Sequence, residues 1–260
     1  MILYLAYLVI VAWALPLGIR PRIVVTLVAV ADGLAIHWLA RQHGDLWTVI
    51  ADWQPPLQIL LGYWLSGLFF RRPMPRVEHW LAAGDRWIFD RWGLGPLIEH
   101  APRVGLELLE LAYLSVYLLP PLGFFVARRT DPSLDAAQYW GIVVAAELAS
   151  YAALPWIQTR PPRALNDHLL IEGRHLAIRR LNTAVLRRGS IQVNTIPSGH
   201  AAGALATALA VAQVSPVAGG VFGVIAAGIV LGSIAGRYHY AADSVAGLAI
   251  ALVIWIGSRG

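Results

Sequence analysis

The sequence predicts an all-α fold, a polytopic bundle of about eight membrane-spanning helices with further helices at the membrane interface. Three observations lead to this fold class. Hydrophobic residues make up 58% of the 260 residues and charged residues only 13%, about half the charged share of a typical soluble domain. Aromatic residues reach 10%, which excludes a disordered chain. Several stretches close to the ~20 residues that cross a bilayer carry almost no charge.

Eight apolar spans account for the predicted bundle. Residues 1–19 carry no charge, and neither a basic start nor a small-residue cleavage site marks them as a signal peptide. The charge-free stretch 201–236 is too long for one helix across a core of about 30 Å. Its natural break is 213–216, so it supplies two spans. The other five spans are 23–40, 53–70, 104–127, 137–157 and 244–258.

Two connections contain both apolar and charged side chains. Residues 78–92 mix Trp80, Trp87 and Trp92 with acids and arginines, which predicts a helix at headgroup depth. Residues 160–195 contain seven arginines, and they fit either a second interfacial helix that attracts lipid phosphate or a solvated basic loop with a topological role. No repeat or low-complexity linker divides the chain, so we expect one membrane domain, residues 1–260.

The basic residues are all arginine, 20 in number, and the formal net charge is +5. This balance suits anionic headgroups or phosphates. The absence of cysteine excludes disulfides, thiolate metal sites and thiol nucleophiles. In the eight-span topology sixteen arginines fall on one face, and the other face has Arg41, Arg128, Arg129 and Arg259. The arginine-rich face also receives three short segments that indicate chemistry.

The first segment is 158–163, where the chain leaves the fifth span. Two prolines stand between Arg160 and Arg163, and their fixed φ angles hold the backbone there. A planar guanidinium offers paired donors for phosphate oxygens. Arginine beside a span is also ordinary topology, so both arginines stay candidates.

The second segment is 197–200, at the start of the sixth span. Ser198 can cap a helix, and Gly199 lets an anion approach the backbone. The free amides of a helix start form an anion site. His200 would stand at that site, unless it is an interfacial histidine beside a helix cap.

The third segment is 237–243, at the start of the eighth span. His239 and Asp243 are four residues apart and share one face of a helix. A carboxylate on one imidazole nitrogen fixes the tautomer and leaves the other nitrogen free. The alternative is a structural ion pair that anchors the helix. Arg237 begins the segment. Together the three segments offer a nucleophile, a proton donor and a cradle for a tetrahedral anion, which predicts phosphoryl chemistry.

These residues resemble a known family. Pro-Ser-Gly-His at 197–200, followed by Arg-Tyr-His-Tyr-Ala-Ala-Asp at 237–243, is similar to the type 2 phosphatidic acid phosphatase superfamily, which also contains lipid phosphotransferases and soluble vanadium haloperoxidases. Thr-Arg-Pro-Pro-Arg at 159–163 looks like the first motif of its branch related to inositol phosphorylceramide synthases. The likeness covers about 53–258 and implies a six-helix catalytic core, 53–260, with two additional N-terminal spans in 1–52.

The resemblance implies a role for each residue. His239 takes the phosphoryl group, Asp243 orients it and His200 protonates the leaving oxygen. The phosphate-binding residues it implies are Arg160, Arg163, Ser198, Gly199 and Arg237. It implies no metal or other cofactor.

Two positions depart from the family pattern. Ala153 stands where a lysine is usual, and Ser233 stands where the third motif usually has arginine, with Arg237 as the substitute. These departures weaken the expectation of a simple phosphatase more than that of the superfamily.

The expected function is a metal-independent membrane lipid-phosphate phosphatase with a phosphohistidine intermediate. The alternatives are a lipid phosphotransferase of the inositol phosphorylceramide synthase type and an anion or lipid transporter. We expect a phosphorylated lipid and the bilayer as partners, no nucleic acid, and a place in the plasma membrane. The charge count predicts a cytoplasmic site, whereas the family's habit predicts the outer face.

Three further acids have structural interpretations. Glu107 and Glu110, one turn apart near the start of the fourth span, can pair with Arg103 or with arginines of the long connection. Glu147 lies within the fifth span and is expected to bond a neighbouring helix.

Overall fold

The computed structural model describes residues 1–165, 171 and 174–259. These residues form helices and their connections, with one isolated antiparallel bridge between Thr159 and Asn194. In chain order the α-helices are α1 (Ile2–Ala14), α2 (Ile19–Leu39), α3 (Asp45–Trp53), α4 (Pro55–Gly67), α5 (Pro75–Arg91), α6 (Leu94–Glu99), α7 (Arg103–Ser115), α8 (Leu119–Thr130), α9 (Ala136–Ala152), α10 (Ala177–Gly189), α11 (Gly199–Ala212), α12 (Pro216–Ala235) and α13 (Ala241–Gly257). A short 3-10 helix, Pro162–Leu165, precedes the undescribed part of the long connection.

The predicted all-α membrane bundle is confirmed as a fold class, with one predicted span broken. Residues 104–127 form two helices, α7 and α8, which meet at a bend of 73°. The break has a local cause, since Pro120 and Pro121 stand in the first turn of α8 and have no amide hydrogen to continue α7. Proline also stands in the first turns of α4 and α12.

The number of membrane crossings stays a prediction. In the described ranges, α2 and α12 are long and apolar enough to cross a bilayer, and the bent pair α7–α8 is a third candidate. The apolar helices α1, α11 and α13 are shorter. Large apolar side chains are exposed on the two long helices, such as Leu27 and Leu34 on α2 and Val224 on α12. Apolar surface of this extent is suited to lipid.

The core forms around α11, which packs against α8, α9, α12 and α13. Its buried face is mostly alanine, including Ala202, Ala204 and Ala206. Small side chains let helix backbones approach closely, which is how helices associate in membranes. The same closeness recurs where Gly247 of α13 meets the backbone oxygen of Ser198. The start of α11 is therefore enclosed by neighbouring helices.

Both connections expected at the interface contain helices. α5 exposes Trp80 and Trp87 and buries Glu78 and Asp85. α10, one of the two alternatives for the basic connection, packs against α7. Residues 166–170 and 172–173 of that connection lie outside the described residues. The short helices α3 and α6 were not predicted.

Candidate functional site

Three backbone hydrogen bonds bring the predicted segments together at one end of the bundle. The amide of Arg163 donates to the carbonyl of Arg237 at 3.0 Å, and the amide of Ser198 donates to the carbonyl of Asp243 at 2.9 Å. Just before the second segment, the amide of Asn194 donates to the carbonyl of Thr159, also at 2.9 Å. Segments far apart in sequence therefore form one continuous surface at the start of α11.

The two histidines face each other across this surface. His200 lies in the first turn of α11, which Ser198 caps through its side-chain oxygen, and His239 lies in the loop between α12 and α13. Their ring centroids are 5.3 Å apart. The Nε2 atom of His200 and the Nδ1 atom of His239 are buried and bond no described residue. Buried polar atoms normally have partners, so the unpartnered Nε2 of His200 indicates a ligand site, whereas Nδ1 of His239 faces Asp243.

Asp243 lies beside His239 but bonds other groups. Its Oδ2 accepts from the amide of Tyr240 at 3.0 Å, a cap on α13, and from the side-chain amide of Asn194 at 2.8 Å. The same Oδ2 is 3.6 Å from Nδ1 of His239, longer than a hydrogen bond. Contacts of this kind in an empty site often shorten when substrate binds. His239 and Asp243 are therefore adjacent, as expected, but no hydrogen bond joins them in this structure.

Asn194 is a site residue that sequence reasoning missed. Its side-chain amide donates both to Asp243 and, at 3.1 Å, to the hydroxyl of Thr159. It is fully buried and so links the first segment to the third. No periodicity or motif marks this asparagine, since its role depends on a bridge between residues 35 positions apart.

Arg163 is the arginine that reaches the histidines. It lines a narrow pocket with His200, His239, Tyr113 and Tyr238, which we call the histidine pocket. Its guanidinium lies over the ring of Tyr238, 5.3 Å from the centroid. Burial first, and then the positive charge of Arg163, lowers the pKa of His239 to about 3. His239 is therefore neutral at physiological pH, the state that a nucleophilic imidazole needs.

Arg237 does not line the histidine pocket, which differs from its expected role. Only 1% of its side chain is exposed, and its Nη1 donates to Oδ2 of Asp85 on α5 at 2.5 Å. The other oxygen of Asp85 accepts from the amide of Ala241, at the start of α13. Burial raises the pKa of Asp85, and Arg237 opposes that rise. Arg237 thus joins α5 to the third segment.

The backbone of Arg237 has a left-handed conformation that ends α12. Its φ of 60° is left-handed, a conformation that usually selects glycine. Two hydrogen bonds close α12 around it, from Tyr238 to Ser233 and from Arg237 to Ile234, the pattern of a Schellman cap. The left-handed residue costs about 1 kcal/mol or more. The contact with Asp85 offsets that cost.

Arg160 is engaged by the second buried acid of α5. Its Nε and Nη2 donate to the two carboxylate oxygens of Glu78 at 3.0 and 2.7 Å, and its backbone amide donates to the same group. Arg160 does not line the histidine pocket. Glu78 and Asp85, seven residues apart on one face of α5, therefore hold the two arginines. This heptad spacing was the available signal in the sequence.

The Glu78–Arg160 pair should make stability depend on pH. The hydrogen bond from Arg160 lowers the pKa of Glu78 below its ordinary 4.5. Its stabilisation is therefore complete above that ordinary value and is lost as the pH falls through the lowered value. We expect the melting temperature in detergent to be higher for the wild type than for Glu78→Gln at pH 7, with the gap closing towards pH 3. A gap that stays constant from pH 7 to 3 would contradict this, and Glu99→Gln, exposed on α6, is the control.

Gly199 has a packing role that its sequence motif did not suggest. A Cβ at Gly199 would overlap the ring of Tyr151, and one at Gly203 would overlap the carboxyl group of Glu147. Both partners belong to α9. Glycine therefore lets α9 lie against the start of α11, both directly before His200 and about one turn after it. Ser198, the other predicted phosphate-binding residue of this segment, is fully buried and caps α11.

An apolar cavity of about 200 Å³ adjoins the histidine pocket. Tyr63 and His200 line both spaces. The remaining wall comes from α4, the α7–α8 bend, α9 and α10, with Ile59, Val116 and other apolar side chains. An apolar space beside a basic, histidine-lined pocket matches the two halves of an amphiphile.

The acids of α7 hold the basic helix α10. Glu107 accepts from the amides of Ala177 and Ile178 at the start of α10. Glu110 is buried and accepts from Arg179 at 2.8 Å and from the hydroxyl of Tyr238 at 2.6 Å. The predicted pairing of these acids with arginines of the long connection is confirmed for Glu110. Its bond to Tyr238 also supports one wall of the histidine pocket.

A comparison with known protein families gives a match. The family model described as the PAP2 superfamily matches residues 79–257. This range contains all eight predicted site residues and most of α5 through α13. No curated protein and no solved structure matches the chain.

Proposed function

The chain belongs to the PAP2 superfamily, and on this premise we propose that it is an integral membrane lipid-phosphate phosphatase. Membership supports a phosphatase-like function in general. The observation that carries the proposal is the buried, unpartnered Nε2 of His200 in a pocket that it shares with His239 and Arg163, next to an apolar cavity. The pocket takes the phosphate and the cavity takes the start of the lipid chain.

The first half-reaction forms a phosphohistidine. Asp243 faces Nδ1 of His239, so Nε2 attacks phosphorus while the bond from phosphorus to the ester oxygen breaks. Burial first, and then His239 and Arg163, lower the pKa of His200 to about 3 as well. His200 therefore takes the proton of the bound phosphate monoanion and passes it to the departing oxygen, and the lipid alcohol leaves. Arg163 stabilises the negative charge on the equatorial phosphoryl oxygens.

The second half-reaction returns the enzyme to its starting state. His200, now neutral, takes a proton from water while that water attacks the phosphohistidine. The N–P bond breaks, His200 passes the proton to the departing inorganic phosphate, and neutral His239 and neutral His200 are restored. Asn194 holds Asp243 beside His239, and Glu78 and Asp85 fix the segments through Arg160 and Arg237. The amides at the start of α11, including that of Gly199, add the positive end of a helix dipole.

Phosphate release tests this proposal directly. The purified protein in detergent is offered phosphatidate and polyprenyl phosphates, and inorganic phosphate is measured. Inositol supplied with a phospholipid tests the alternative, because a phosphotransferase would form a new phosphodiester. Movement of the lipid or anion across vesicles without either product would instead support a transporter and contradict the proposal.

A variant of Arg163 tests whether this arginine, and not one of the two held by α5, binds the phosphate. We expect Arg163→Gln to lower kcat/KM for phosphate release by about 10²–10³-fold, since it removes one donor to the transition state. Arg188→Gln, exposed on α10, is the matched control and should stay within about twofold. Equal activity of wild type and Arg163→Gln would show that another group binds the phosphate.

A further inference from the structure

The wall of the apolar cavity contains one carboxyl group among its described residues, that of Glu147. The side chain is buried and lies on α9, within the bundle. A carboxyl group at membrane depth costs several kcal/mol unless it is paired. Neither half-reaction of the proposed mechanism uses it.

One of the two oxygens of this carboxyl group has a hydrogen-bond partner. The hydroxyl of Tyr151, one turn along α9, donates to Oε2 of Glu147. Tyr151 is in turn fixed by edge-to-face contact with the ring of Tyr63, with centroids 5.5 Å apart. In the part of the chain that the structure describes, no donor bonds Oε1 of Glu147. The group is therefore oriented, and the oxygen that packs on Gly203, Oε1, is left without a donor.

The point at which Glu147 of α9 contacts α11 shows how far its carboxyl group lies from His200. Its carboxyl group packs on Gly203, three residues beyond His200. Three residues of α-helix rise about 4.5 Å. A substrate whose ester oxygen lies at His200 would therefore bring atoms two or three bonds further along its chain close to Glu147.

We propose that Glu147 binds a hydroxyl or amide N–H that the lipid carries two or three bonds from its phosphate ester. The inference rests on the proposed function and names its substrate class. The enzyme prefers phosphates of lipids that have a hydrogen-bond donor next to the ester over phosphates of plain hydrocarbon chains, including polyprenyl chains. With such a substrate the buried carboxyl group is fully paired, and with a hydrocarbon chain one oxygen stays unpaired against apolar carbon.

Two phosphates that differ by one hydroxyl test the preference. We expect kcat/KM to be about tenfold higher for 2-hydroxyhexadecyl phosphate than for hexadecyl phosphate. In Glu147→Leu this ratio should fall to about one, while Glu147→Gln, which keeps an acceptor oxygen, should retain at least about threefold. Glu107→Gln, outside the cavity, is the control and should keep the wild-type ratio. A wild-type ratio near one, or a ratio unchanged in Glu147→Leu, would overturn the inference.

Binding of the product alcohols tests the proposed role of Glu147 independently of phosphatase activity. Hexadecane-1,2-diol should raise the melting temperature of the wild type more than hexadecan-1-ol does, and Glu147→Leu should abolish the difference. If neither phosphate is hydrolysed but the diol still stabilises selectively, the proposed phosphatase is wrong and the binding site stands. If phosphate is released from both substrates and the two alcohols stabilise equally, the phosphatase stands and the binding site is wrong.

Discussion

Replacing His239 with glutamine is expected to lower phosphate release by at least about 10³-fold, because no other group can take its place in forming the covalent intermediate. Glutamine retains a polar side chain of similar reach, so the fold should persist. The loss should fall on kcat, measured by phosphate release in detergent at saturating lipid phosphate. Rapid denaturation during turnover of a phosphorus-labelled lipid should leave acid-labile label on the wild type and none on the variant.

The control for this experiment is another histidine. His175 is exposed near the start of α10, and His175→Gln should release phosphate at the wild-type rate. If folded His239→Gln also releases phosphate at that rate, the phosphohistidine mechanism is wrong. Label that remains on the variant would place the nucleophile at another residue.

Replacing Asp85 with alanine is expected to destabilise the protein by about 3–5 kcal/mol, since it leaves a charge buried without its partner. The guanidinium of Arg237 is 1% exposed, and the carboxylate of Asp85 also holds the amide of Ala241. Both contacts fix the loop that carries His239. We therefore expect a lower melting temperature in detergent and, in the folded fraction, slower phosphate release.

Two further variants show whether the loss of stability comes from the buried Asp85–Arg237 pair or from any change of charge on α5. Asp90 is exposed on the same helix, and Asp90→Ala should change the free energy of unfolding by no more than about 0.5 kcal/mol. The double variant Asp85→Leu with Arg237→Met removes both charges and should recover a large part of the lost stability. Asp85→Ala with wild-type stability would show that water or another group pairs with Arg237.

The candidate site shows where prediction from sequence succeeds. His200 and His239 are marked by short motifs at span entrances, and helix direction alone puts both at the same end of the bundle. The structure brings them within 5.3 Å. The choice between Arg160 and Arg163 could not be made in this way, because both flank the same two prolines. It depends on Glu78, which holds Arg160 and leaves Arg163 beside the histidines.

The acids of α5 show why the rest of the site could not be predicted. In the sequence, residues 78–92 indicate an interfacial helix whose charges face water. In the structure Glu78 and Asp85 are buried against arginines 82 and 152 positions away. The heptad spacing of Glu78 and Asp85 puts both acids on one face of α5 but does not identify their partners, since each arginine alone resembles an ordinary charge beside a membrane.

The sequence by itself determined the all-α membrane bundle, the helix break before Pro216 and the residue types for phosphoryl chemistry. These properties follow from local composition and from the spacing of apolar and polar residues, which depend only on neighbours along the sequence. Only the tertiary structure decided which arginine faces the histidines, that Asn194 holds Asp243, and that Glu147 lines a cavity beside His200. Those outcomes depend on which buried charges and polar groups find partners, and burial brings together residues that are distant in the chain.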